Sequence, residues 1–464
     1  MSVQTPTSID VVDCSVCGRR HPVAATGHSH SMEGDDVGTY HDLLARRRMR
    51  FHGDGTQISD SDMHESLKPF QRHIVKWACA NGRAAIWADT GLGKTRMQIE
   101  WCRVMAETSI IIAPLAVAHQ TVEEAAKIGV RARYVRDPDQ IDGAGLYVVN
   151  YEMLSKFDPH MFGAVALDEA SILKQSDGKT RTMLIEWAEP IKYKTTWTAT
   201  PAPNDPEELT NQAEFLGIMK RVNMLAAYYV HDQDGWRLKG HAFDPFIDWL
   251  GTWALAIRRP SDLGFDDTGY ILPGLEIIPE IVTAEIEPAP NELFAMSIGG
   301  VSGRSKVRRE TLEARIERAV SVAEREPDEP WLLWCDLNDE AEALANAIPG
   351  AVNVHGSMKP DEKAEKLLGF AHGDFQTLIT KPGIASLGLN YQHCARMQFV
   401  GMKDSYEQYY QAMRRCYRYG QTRVVNAHIV LSEIEQQIAQ NVARKEDQAN
   451  RIVEAMIHRL EKIA

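Results

Sequence analysis

Short apolar and β-branched runs recur along this chain with helical stretches between them, and that alternation constrains the fold more than any other feature. "RAAIW", "SIIIAP", "LYVVNY", "AVALDEA" and "YKTTWTAT" read as strands, while Arg96 to Glu107 and Ala116 to Lys127 carry the spacing of helices. Strands joined through helices pair in parallel, so these runs describe a parallel sheet covered on both faces. Near residue 307 the alternation starts again, with "WLLWCD", "AVNVH", "QTLITK", "RMQFVG" and "VNAHIV" as strands. The spacing therefore predicts an α/β protein with two tandem parallel-sheet lobes, at 67–215 and 286–432. A polar segment, 1–66, precedes them, and a helical insert and linker, 216–285, separates them. Residues 207 to 270 are tryptophan-rich and show no strand alternation.

The gross numbers agree with several domains. At 464 residues, 44% of them hydrophobic, the chain exceeds what one core can organise. The formal charge is -13, so contact with nucleic acid would have to use a local surface. The cysteines are odd in number with no disulfide-framework spacing, the start is not signal-like, and no apolar run could span a bilayer. Those features point to a cytoplasmic protein without a membrane partner.

"WADTGLGKT", residues 87 to 95, ends the first strand in the spacing of a phosphate-binding loop, with Ala88 where a glycine is usual. Gly91 and Gly93 let successive N-H groups of Thr90, Gly91, Leu92 and Gly93 face one anion, and a helix starting near Lys94 adds its positive end there. Lys94 would reach the terminal phosphates of ATP, and Thr95 would offer its hydroxyl to Mg2+. A plain strand-to-helix turn with a chance lysine would carry the same string. "AVALDEAS", residues 164 to 171, ends a strand in two carboxylates: Asp168 to hold the Mg2+, Glu169 to deprotonate the attacking water. Thr198 and Thr200, in "TATP", could reach both the acidic pair and a facing domain. In "QYYQAMRRCYRYGQTR", Gln411, Arg414, Arg415 and Arg418 fall on about two helical turns, where a guanidinium could cross a domain gap to an anion.

Taken in order, "PFQRHIVKWA", "ADTGLGKT", "APLAVAHQ", "VVNYEML", "LDEAS", "TATP", "NVHGSMKP", "ASLGLN" and "QAMRRCYRYGQ" resemble the motif series of superfamily-two helicases and translocases. The closing string is similar to the Swi/Snf-like branch, at Gln411, Arg415, Arg418, Gly420 and Gln421, as is the pair Arg258 and Arg259 ahead of "LPG". The resemblance, which runs from about residue 67 to 430, implies two RecA-like lobes with ATP between them. It implies that Gln71 contacts adenine, that Arg415 and Arg418 are arginine fingers, and that Pro114, Asn150, His355 and Asn390 line a nucleic-acid track. Ser171 stands where many relatives have histidine, the glycines of "LITKPGIASLGLN" fit only loosely, and the short insert is closest to compact bacterial and bacteriophage members.

The resemblance implies an ATP-dependent translocase or helicase, with duplex DNA favoured because this branch moves on intact duplex. Two alternatives remain: an RNA or single-strand helicase, and a non-hydrolysing nucleotide-gated DNA-binding adaptor. Intact Lys94, Glu169 and Arg418 speak against the adaptor. Cys14 and Cys17, with His21, His28 and His30 nearby, could form a tetrahedral zinc site or belong to a histidine-rich tail. Finally, Ile434, Ile438, Val442, Ile452, Met456, Leu460 and Ile463 predict an amphipathic helix over 433–464, which either packs back on its own domain or binds a protein partner.

Overall fold

The computed structural model describes residues 11–13, 20–22, 51–175, 178–233, 235–283, 310–384 and 389–461. The chain divides into Met1–Met49 and Arg50–Ala464. In the first unit β1 (Val11–Asp13) and β2 (Arg20–Pro22) pair antiparallel. Cys14, Cys17, His28 and His30 lie outside the described residues, so the zinc expectation finds no test there.

The second unit holds two parallel sheets. The first runs in the order β11-β3-β8-β7-β4-β6-β5, formed by Ala254–Ile257, Arg83–Ala88, Tyr193–Thr198, Ala164–Leu167, Thr108–Ala113, Gly145–Asn150 and Ala132–Tyr134. The second runs β12-β17-β16-β13-β15-β14, formed by Leu275–Val282, Val425–Ser432, Arg396–Val400, Trp331–Cys335, Thr377–Thr380 and Val352–Val354. The two tandem parallel-sheet α/β lobes expected from the sequence are the ones observed. The inner strands bury both faces, which is why their runs read as continuous apolar stretches, whereas the edge strands β5, β12 and β14 are partly exposed. In β3, Ala85 and Trp87 enter one core while Ala84, Ile86 and Ala88 enter the other. In β13, Leu332 and Trp334 face one core, Trp331 and Leu333 the opposite one.

The stretch 207–270 departs from the expectation of no strands. β9 (Tyr229–Asp232) and β10 (Gly235–Leu238) form an antiparallel hairpin, and β11 pairs in parallel with β3 in the first sheet. All four residues of β11, Ala-Leu-Ala-Ile, are buried, so the strand carries no period-two signal to read. β12 lies in the stretch read as linker and closes the edge of the second sheet against β17.

The C-terminal helix, Gln436–Glu461, spans both lobes. Ile438, Val442 and Ala449 pack into the core beneath β16 and β17, whereas Ile452 and Met456 pack into the first lobe. Arg258, the first of the sequence's arginine pair, donates to Glu454 Oε1 at 2.9 Å and to Asn450 Oδ1 at 3.0 Å, fixing the helix to the end of β11. Ile438, Val442, Ile452 and Met456 of the stripe that suggested a protein partner are therefore covered by the chain itself. No helix among the described residues is long and apolar enough to cross a membrane.

Candidate active site

The carboxyl ends of β3 and β7 and the segment after β16 converge on one cavity of about 750 Å³ between the lobes. Strand β3 ends at Ala88, and the loop to the helix Lys94–Met105 turns through Gly91 (φ 89°) and Gly93 (φ 83°). Gly91 is also required by close approach, since a Cβ there would lie 2.8 Å from Cβ of Tyr419, and Gly93 faces the amide of Gln71. Gln71 sits in the first turn of the helix Pro69–Asn81, accepts from Lys68 N and donates to Leu92 O, both at 2.9 Å, and so braces the loop from outside.

Lys94 Nζ donates to the carbonyls of Ala88 at 2.9 Å and Asp89 at 3.3 Å. Burial pulls its pKa down, against the opposing pull of Glu169, Asp168 and Asp89. One helical turn after Lys94, Gln98 donates to Asp168 Oδ1 at 2.6 Å, and the Tyr151 hydroxyl donates to the Asp168 carbonyl at 2.5 Å. Gln98 was not singled out from the sequence, although its place four residues after Lys94 was a usable signal.

Glu169 has φ 46° and ψ 55°, the one positive φ outside glycine among the described residues. The left-handed conformation costs a carboxylate residue about 1 kcal/mol or more, and here it lets two consecutive acids, Asp168 and Glu169, line one cavity. Burial, followed by the charge of Asp168, raises Glu169 to about 7, and burial likewise raises Asp168. From the second lobe Arg415 and Arg418 enter the same cavity. Arg415 donates to Leu389 O at 3.4 Å, and burial lowers its pKa. Arg418 bonds Asn390 Oδ1 through Nη1, its Nε has no partner, and burial followed by the charges of Arg415 and Arg414 lowers it to about 10. Cations pulled down and carboxylates pulled up mark a desolvated cluster that an anionic ligand with its own cation would complete.

Lys94, Thr95, Asp168, Glu169, Gln71, Arg415 and Arg418 therefore share one space. The residues assigned to a nucleic-acid track do not behave alike. Pro114 and Asn390 line the same cavity. Asn150 is buried, its Oδ1 accepting from Tyr134 Oη at 2.8 Å and its amide donating to Glu152, so its side chain is committed inside the first lobe. His355 is in contact with Ser357 just past β14, at 2.8 Å. The Thr198 hydroxyl accepts from Thr200 N at 3.0 Å, closing its own turn. Arg414 does not point at an anion site either: it donates to Asp89 Oδ2 at 2.7 Å, with Tyr410 bonded to the same carboxylate.

Residues 313–420, which hold Arg415 and Arg418, match the family model described as the helicase conserved C-terminal domain. Over those residues the second lobe is similar to helicase C-terminal domains. The superfamily-two resemblance read from the sequence has this independent support over that lobe. No curated protein matches the chain. Among solved structures, the SWI2/SNF2 ATPase core of Sulfolobus solfataricus in complex with dsDNA is similar over 88% of this chain and 97% of that one, with 18% identity and a TM-score of 0.43. Within the second lobe, the matched residues begin in the helix Leu312–Ala323 and end at Gly420, directly after the arginine cluster.

Proposed function

We propose that this chain is a nucleic-acid-stimulated ATP hydrolase of the Swi/Snf-like kind, a motor that translocates along duplex DNA. The observation that carries the reading is the shared cavity: a phosphate-loop lysine and two carboxylates from one lobe face two arginines from a helicase C-terminal domain, and one arginine has an unpartnered Nε.

The chemistry follows from those groups. The loop N-H groups and Lys94 bind the phosphates of ATP, with the base toward Gln71. Mg2+ would be held by Thr95 and Asp168, which line the same cavity, with phosphate and water completing its shell. Bound there, Mg2+ neutralises charge on the phosphate oxygens. Gln98 holds Asp168 in position. Glu169 orients a water and takes its proton, and a pKa of about 7 suits a base working near neutral pH. Arg415 and Arg418 stabilise the charge that develops as the phosphate bond breaks.

Because these two arginines come from the other lobe, hydrolysis needs the lobes closed. Nucleic acid bound across both lobes favours closure, and by linkage closure strengthens ATP binding. Duplex DNA as the track rests on the closing motif, Gln411 to Gln421. The test is the ATPase rate with duplex DNA, single-stranded DNA and RNA as separate activators. The largest rise is expected with duplex. A larger rise with single strands or RNA would make the protein a single-strand or RNA helicase, and ATP binding without turnover under every condition would make it a nucleotide-gated adaptor.

A further inference from the structure

We propose that Glu407 is a positioning residue that joins the acidic motif of the first lobe to the arginine-bearing segment of the second. The inference rests on the ATP-hydrolase reading above. Glu407 lies in the first turn of the helix Tyr406–Met413, which Ser405 caps and which runs directly into Arg414, Arg415 and Arg418. Its two carboxylate oxygens are used separately. Oε1 accepts from Ser171 Oγ at 2.5 Å, and Oε2 pairs with Lys174. Ser171 and Lys174 belong to the short helical turn Ala170–Lys174 that Glu169 opens with its left-handed backbone. One carboxylate thus grips both ends of the turn that sets where Glu169 stands.

The other end of the same helix makes a second contact with the opposite sign. Arg414 meets Asp89 of the phosphate loop at 2.7 Å, and Tyr410 bonds the same acid. An acid at the amino end and a cation at the carboxyl end also agree with the helix dipole. A helix with charges of opposite sign at its two ends docks on the first lobe in one orientation, since the reversed one would set like charges together. Closure therefore presents Arg415 and Arg418 and seats the Glu169 turn in one movement. Ordinary exposed ion pairs contribute little, but the Glu407 side chain is 13% exposed and carries a hydroxyl bond as well as the charge pair. In this chain Ser171, standing where relatives carry histidine, couples to the second lobe through an acid.

The experiment uses the full chain and charge exchange: Lys174→Glu, Glu407→Lys and the two together, read as kcat and KM for ATP with saturating duplex DNA. Contacting residues in one network couple strongly enough that each single change is expected to lower kcat by about tenfold with KM little altered. The double variant is expected to restore most of the loss. Should a reversal variant fold poorly by its thermal melt, Glu407→Gln, which keeps the acceptor for Ser171, is expected to show the same kcat-only loss at a smaller size. Singles at parental kcat, a double no better than the worse single, or a Gln variant indistinguishable from the parent would each overturn the inference and leave the ATP-hydrolase reading standing. A parent protein that turns over no ATP with duplex would overturn both.

Discussion

The two lobes bring different kinds of readiness to the site. In the first, Lys94 is braced by two loop carbonyls, Asp168 by Gln98 and Tyr151, and the loop itself by Gln71. In the second, Arg415 has one long bond to a carbonyl and Arg418 bonds Asn390 but leaves its Nε unpartnered, while the segment that carries them packs on its own core through Tyr409, Met413 and Cys416 and meets the first lobe through Glu407 and Arg414. Under the proposed ATP-hydrolase reading, the difference assigns most of nucleotide binding to the first lobe and hydrolysis to the gap.

That contrast can be broken in order of effect. Arg418→Ala should cost the most, about 1000-fold in duplex-stimulated turnover, because an arginine finger supplies about that factor. A stopped-flow or coupled assay at saturating DNA reads it, and stimulation equal to the parent's would remove Arg418 from the chemistry. Glu169→Gln comes next, with hydrolysis lowered about 100-fold or more and nucleotide binding nearly intact, as expected when a general base is lost. Turnover at the parental rate in that variant would refute the assignment. Lys94→Ala should act on binding instead, weakening ATP by about 10- to 100-fold through loss of charge-assisted hydrogen bonds, which calorimetry would measure. Gln98→Ala should be mildest, shifting the Mg2+ concentration for half-maximal turnover upward by about tenfold, since it orients a metal ligand rather than supplying one. An unchanged Mg2+ profile would show that Asp168 needs no such support.

Much of the first-lobe half was readable in the sequence because its chemistry is local. The phosphate loop and the acidic pair each lie within one strand end, where glycines, lysine and carboxylates fall at fixed spacing. The strands were readable too, as apolar runs buried on both faces. What escaped was non-local. Ser171 and Glu407 are 236 residues apart, and Asp89 and Arg414 are 325 apart, so no spacing rule connects them. β11 escaped for another reason: a buried four-residue strand flanked by helices looks like more helix. The surroundings of Asn150 were not readable either: the resemblance set it on a nucleic-acid track, and no local spacing shows that its amide ties Tyr134 to Glu152. The two-sided packing of the C-terminal helix was hidden likewise, since one apolar stripe does not say which surfaces will cover it.

The division of labour between the lobes is tested most directly by titrating a non-hydrolysable ATP analogue into Lys94→Ala and Arg418→Ala side by side, without DNA. Affinity should fall sharply in the first variant and stay close to the parent's in the second. Equal losses in both would contradict the account, because the second lobe would then be binding nucleotide rather than completing the site around it.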